Sequence, residues 1–313
     1  MTGSGGRPRG GRRPQRTGRP QDQTAKPDNS HSSVHARRIA PSGTPRRQPT
    51  AGRARSPGEP LHTSSQRGEP SRTPAAQRQS QSPRPQRAAD RVDAGPPPPE
   101  DADVTLLAAD VRAELRGLTP ENAERVGRHL VAAGQLLDED PQRALEHARA
   151  ARRTAGRLAV VREAVGLSAY LSGQWQEALT ELRAVRRMTG DNAHLPLLAD
   201  CERGLGRPDR ALALARAPEA AGLAATELIE LRIVEAGARR DLGQLEAALV
   251  VLRDAGLERD DVDESVIRLW YAYAETLVAA DHSDQARHWF SAVVEADDDE
   301  STDAADRLVE LDG

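Results

Sequence analysis

Histidine, cysteine and paired carboxylates are the side chains that most readily carry catalytic or metal chemistry, and in this chain their spacing supports none. His31 and His35 stand four apart with no Glu between them, and His282 and His288 stand six apart, so no His-Glu-x-x-His metal pattern is formed. His194, Asp200, Cys201 and Glu202 are close in sequence, yet nothing sets a base beside the thiol as nucleophilic catalysis requires. Cys201 is the only cysteine, which excludes an intrachain disulfide and fits a small core residue. Gly204-Leu205-Gly206 is not followed by Gly-Lys-Ser/Thr, so it is expected to end a helix rather than cradle a phosphate. The run Asp297-Asp298-Asp299-Glu300 lacks the spaced ligands and central glycine of a calcium loop. It is expected to be a solvated acidic face, as is Asp260-Asp261-Val262-Asp263-Glu264. The expectation is therefore a protein that is not an enzyme and that needs no cofactor and no metal.

Two arginine clusters remain. Arg149, Arg152, Arg153 and Arg157 form one, and Arg183, Arg186 and Arg187 form the other at the matching place one repeat later. Spacings of three and four put several on one helical face. They could hold phosphate or an acidic partner. They also fall in last helical turns, where cations complement the helix dipole, and that structural reading is favoured.

The elements that must position these residues divide the chain in two. Of its 313 residues, 1–100 hold 17 of the 22 prolines and no aromatic residue, and carry 19 basic against 7 acidic side chains, a net +12. Residues 101–313 hold every aromatic and carry 25 basic against 41 acidic, a net −16. The first segment cannot bury enough apolar surface to offset backbone ordering and is expected to be a disordered basic tail. Pro96–Pro99 form a stiff spacer at its end. Three roles stay open for the tail. Arg9-Gly10-Gly11-Arg12-Arg13, within the run from Arg7 to Arg19, resembles segments that contact RNA or DNA phosphates. The tail could instead fold back on the acidic body, helped by tethering. It could also be a solubilising arm, because Lys26 is the only lysine against 43 arginines, a bias that codon composition produces. The first residues carry no apolar signal segment, and no run of 18 apolar residues occurs anywhere, so a cytoplasmic chain without a membrane contact is expected.

Beyond residue 101 the apolar pattern is helical and repeats. Ala144, Ala178, Ala211, Ala248 and Ala286 each follow a Gly, Asp or Glu five residues upstream and open an apolar stripe. Twelve residues before each stands another small residue: Ala132, Gly166, Ala199, Ala236 and Ala274. Compact residues at both places let two antiparallel helices cross closely. The pattern predicts a leading helix over 104–116 and helix pairs over 121–137 with 141–154, 158–172 with 175–188, 195–205 with 208–216, 224–242 with 244–254, and 265–280 with 283–295. A final helix over 302–311 follows. Thr119-Pro120-Glu121 is an N-cap and first turn, Pro218 ends its helix early, and no strand pattern appears.

This arrangement resembles the tetratricopeptide repeat (TPR) family over about residues 120–295. The second repeat carries it best, through Gly166, Gly173, Trp175, Ala178 and Leu182, and departs from the consensus in placing Tyr170 one position late. The chain is also similar to TPR proteins of high-GC Gram-positive bacteria. The resemblance implies an all-α helical-repeat solenoid of about five helix pairs over 101–313. It implies too that the first helix of each pair lines a concave groove holding a protein or peptide partner. The groove positions carried over are Glu163, Leu167 and Tyr170, then Asp200 and Arg203, then Ile233 and Arg240, and lastly Arg268, Tyr271 and Glu275. An ordinary solvated helix face stands beside that reading. The two-carboxylate clamp of some family members needs a lysine that the body lacks. The expected function is a non-catalytic protein–protein interaction scaffold, with a nucleic-acid-associated adaptor using the tail as the alternative.

Overall fold

The computed structural model describes residues 95–258, 262–298 and 301–312. The basic tail expected over 1–100 lies outside the described residues up to position 94, and so do parts of both acidic runs. Among the described residues there are twelve α-helices and no strand. Of two 3-10 turns among the described residues, Val104–Leu106 leads into α1, Ala109–Leu115, and Pro218–Gly222 lies after Ala215. Five helix pairs follow: α2 Pro120–Leu136 with α3 Pro141–Ala155, α4 Ala159–Leu171 with α5 Trp175–Thr189, α6 Leu195–Gly204 with α7 Pro208–Ala215, α8 Ala225–Asp241 with α9 Leu245–Asp254, and α10 Glu264–Ala279 with α11 Ser283–Ala296. A last helix, α12, runs over Ala304–Asp312.

Local chemistry accounts for where these helices start. Thr119, Asp140 and Asp263 each accept from backbone amides of the first turn that follows them, and Pro120 and Pro141 occupy first helical positions. Asp297 holds the link to α12 by accepting from the amides and hydroxyls of both Ser301 and Thr302. Burial opposes the charge on Asp297, but these hydrogen bonds outweigh it and lower its pKa. The leading segment differs from the single helix expected over 104–116. Leu107 and Ala108 are extended, with ψ of 147° and 152°. This break turns Leu107 into the core, where it is 2% exposed, and lays Val104 over Gly127.

The turns within four of the pairs share one geometry. Gly173, Gly206 and Gly243 have φ of 69°, 69° and 72°, and Asp281 takes the same place with φ of 62°. Each sits five residues before a repeat alanine. At each, the following residue's amide returns to a carbonyl five residues back, as in Gln174 to Ala169 and His282 to Leu277. The spacing read from sequence is thus a left-handed helix stop followed by a new helix.

The small residues pack as their spacing predicts. Ala144, Ala178, Ala211, Ala248 and Ala286 are fully buried, and Ala132, Ala199, Ala236 and Ala274 are buried too. A Cβ on Gly166 would lie 2.6 Å from Leu182 Cδ2, so only hydrogen lets α4 approach α5 there. Every substantial contact joins helices one or two apart in sequence, within a pair, from a pair to the next, or between successive first helices. The core accordingly falls into three clusters along the chain, over Ala102–Cys201, Leu195–Ala238 and Ile229–Ala304.

Candidate functional site

The ten groove positions lie on the first helices α4, α6, α8 and α10, and several pair with side chains of a neighbouring helix in the same row. Tyr170 on α4 is buried and donates from its hydroxyl to Asp200 Oδ2 on α6 at 2.6 Å. Asp200 also accepts from Arg203 at 2.7 Å, and Arg203 reaches on to Asp241 at the end of α8, again at 2.7 Å. Gly237 on α8 leaves the room that the Arg203 guanidinium fills. Farther along, Arg240 lies 3.9 Å from Glu275 on α10, and Glu275 meets Arg307 on α12 at 2.7 Å. Tyr271 donates to Asp303 at 2.5 Å. A line of polar side chains thus runs across α4, α6, α8, α10 and α12.

Burial separates these positions into two groups. Glu163, Leu167, Tyr170, Asp200, Ile233 and Arg268 are buried. Arg203, Arg240, Tyr271 and Glu275 are partly exposed. Glu163 lies 3.0 Å from His194 Nε2, and both are almost fully buried. Arg268 bridges Glu230 on α8 and Glu264 on its own helix. Burial opposes its charge, and the two carboxylates outweigh that and raise its pKa. Arg203 behaves alike, with Asp200 and Asp241 overcoming burial. The Tyr170 phenol is pushed well up, first by burial and then by the Asp200 carboxylate.

Sequence reasoning missed the partners in these pairs, namely His194, Glu230, Asp241, Asp303 and Arg307. A signal was present. Glu230–Arg268 and Arg203–Asp241 are each 38 residues apart, and Glu275–Arg307 are 32 apart, close to one repeat. Complementary groups one repeat apart mark contacts between successive pairs.

The arginine clusters are tied in the same way along the second helices. Arg149 pairs with Glu177, and Arg152 with Glu181 at 2.5 Å. Arg162 meets Glu181 from α4 at 2.7 Å. Arg183 reaches the buried Glu202 at 2.7 Å, and Arg186 reaches Glu219 at 2.9 Å. These contacts support the structural reading for Arg149, Arg152, Arg183 and Arg186, while Arg153, Arg157 and Arg187 lie at exposed positions.

Cys201 is fully buried, and burial, then Asp200 and Glu202, push its thiol pKa well up. A thiol held protonated in a core is a poor nucleophile. His129 and His147 face each other across α2 and α3, with their Nδ1 atoms 3.1 Å apart. Burial lowers the pKa of both, that of His129 to about 4. Among the described residues no group of three or more His, Cys, Asp or Glu side chains is placed to hold a metal ion. No described helix is long and apolar enough to cross a membrane. No family model matches the chain, and no curated protein matches it.

Proposed function

We propose that the body is a TPR-like helical-repeat solenoid acting as a non-catalytic scaffold, and that it binds a protein or peptide segment along its first-helix face. The observation that carries this reading is the line of partly exposed Arg203, Arg240, Tyr271 and Glu275 across successive first helices. Such a face presents cations, an aromatic ring and a carboxylate at intervals set by the repeat, which suits an extended peptide with side chains of both signs. The buried members of the set, among them Glu163, Asp200 and Arg268, hold the helices in register behind that face. The TPR reading is further supported by the five buried alanines at a spacing near 34 residues and by the left-handed turns five residues ahead of four of them. On this reading the chain works in the cytoplasm without a cofactor.

The test is co-purification from the native cell with the full chain and with an Arg240→Glu/Tyr271→Ala variant. Arg187→Glu serves as a control on a second helix. A partner retained by wild type and control but lost from the face variant is expected. The same partners on all three would overturn the assignment of the face.

A further inference from the structure

Two of the three tryptophans meet where the end of α9 and the sides of α10 and α11 come together. The ring centroids of Trp270 and Trp289 are 5.9 Å apart, and Tyr273 stands edge-on to Trp289 at 5.5 Å. Tyr273 is buried, while both indoles are partly exposed. The Trp270 indole donates to the Leu257 carbonyl at 2.8 Å, which fixes that ring. The Trp289 indole N–H has no hydrogen-bond partner among the described residues, and no described guanidinium stacks on either ring. Two aromatic surfaces and one donor are thus unspent.

The rim is acidic once paired groups are set aside. Residues 245–258 and 282–298 carry seven acidic side chains and two arginines. Arg287 pairs with Asp284, Glu246 lies 3.9 Å from His282, and Asp297 is taken up by Ser301 and Thr302. Asp254, Glu258, Glu295 and Asp298 remain against Arg253, all exposed and none in an ion pair with a described residue. Glu258 adjoins the carbonyl that holds Trp270, and Glu295 stands on the exposed side of α11 about two turns beyond Trp289.

We propose that this aromatic patch is the docking site for residues 7–20 of the same chain. That stretch holds six arginines, Pro8, Pro14 and Pro20, and no acidic residue. Guanidinium planes and proline rings stack on indoles, and the rim carboxylates fit the guanidinium forks. The free Trp289 N–H suits a backbone carbonyl of such a segment. Charge favours the same pairing, because residues 1–94 carry 19 basic against 6 acidic side chains. Length allows it. The described chain begins at Gly95, which packs against the Arg153 guanidinium at the end of α3. From the first pair to α10 is four first-helix steps of about 10 Å each. On the expectation of a disordered tail, the 74 residues between Pro20 and Gly95 span about 45–50 Å. A linker matched to its span gives the docked segment its highest effective concentration.

The test is fluorine NMR of the full chain carrying 5-fluorotryptophan, with one signal each for Trp175, Trp270 and Trp289, and a nitroxide on Thr17→Cys. Cys201 is fully buried with its thiol held protonated, so the label goes to position 17. Loss of the Trp270 and Trp289 signals by broadening is expected, with Trp175 spared. Glu258→Arg/Glu295→Arg, which changes two exposed and unpaired side chains, should keep the melting temperature and restore both signals. Equal broadening of all three signals, no broadening, or broadening unchanged in that variant would overturn the site. Nitroxide-bearing chains mixed with fluorinated chains that lack the label should leave the signals sharp. Broadening in that mixture would assign the contact to a second copy and overturn docking within one chain.

Discussion

At the scale of single residues, the turn position five places before each repeat alanine gives a direct test. Asp281 occupies, with φ of 62°, a place that glycine takes in three other pairs. A side chain there strains against the following carbonyl. Asp281→Gly is expected to stabilise the chain by up to about 1 kcal/mol in urea unfolding, the added freedom of the unfolded glycine offsetting part of the gain. The buried His129–His147 contact sets a pH dependence. The folded state holds the His129 pKa at about 4, against 6.5 for an ordinary imidazole. The unfolded chain therefore takes up a proton that the folded chain refuses as pH falls below 6.5. Stability is complete above that pH and declines toward pH 4. His129→Leu/His147→Leu should flatten the urea midpoint across this window relative to wild type. Neither histidine stood out in the sequence, because two residues 18 apart acquire meaning only when α2 and α3 are laid side by side.

At the scale of elements, the helix contacts rest on small residues and buried ion pairs. Arg268 and Glu230 are both buried and joined across α10 and α8. Arg268→Met removes the buried guanidinium from beside Glu230 and should cost about 3–5 kcal/mol by chemical denaturation. Adding Glu230→Met should recover part of that loss. Gly204 lets α6 pass the indole of Trp175, where a Cβ would lie 2.7 Å from the ring. Gly204→Ala is accordingly expected to cost about 1–3 kcal/mol, as overpacking does. Helix positions were legible because capping residues, turn glycines and a repeated alanine spacing are local signals. The break at Leu107–Ala108 was not, since it answers to a distant demand: Leu107 must enter the core beside α2. That the ten proposed positions fall on first helices was legible, and their burial was not. Glu163 and Arg268 look like surface charges in one dimension, and the partners His194 and Glu230 that meet them in the core come from neighbouring pairs.

At the scale of the whole molecule, contacts limited to neighbours predict that damage stays local. Phe290 is fully buried in the C-terminal core cluster. Phe290→Ala should cost about 3–5 kcal/mol, and hydrogen exchange should quicken over α8–α12 while α2–α5 stay protected. Uniform loss of protection would mean one cooperative unit. The same architecture gives the proposed face its length, since each added pair extends the line of first-helix side chains by one step. The most direct measurement of that central claim uses a photo-crosslinking residue placed singly at 240, 271, 250 or 294 in the full chain, in native cells. Positions 240 and 271 lie on first helices, while the exposed Val250 and Val294 lie on second helices. A shared partner crosslinked from 240 and 271 and absent from 250 and 294 is predicted. A partner captured equally from all four positions, or only from 250 and 294, would contradict the account.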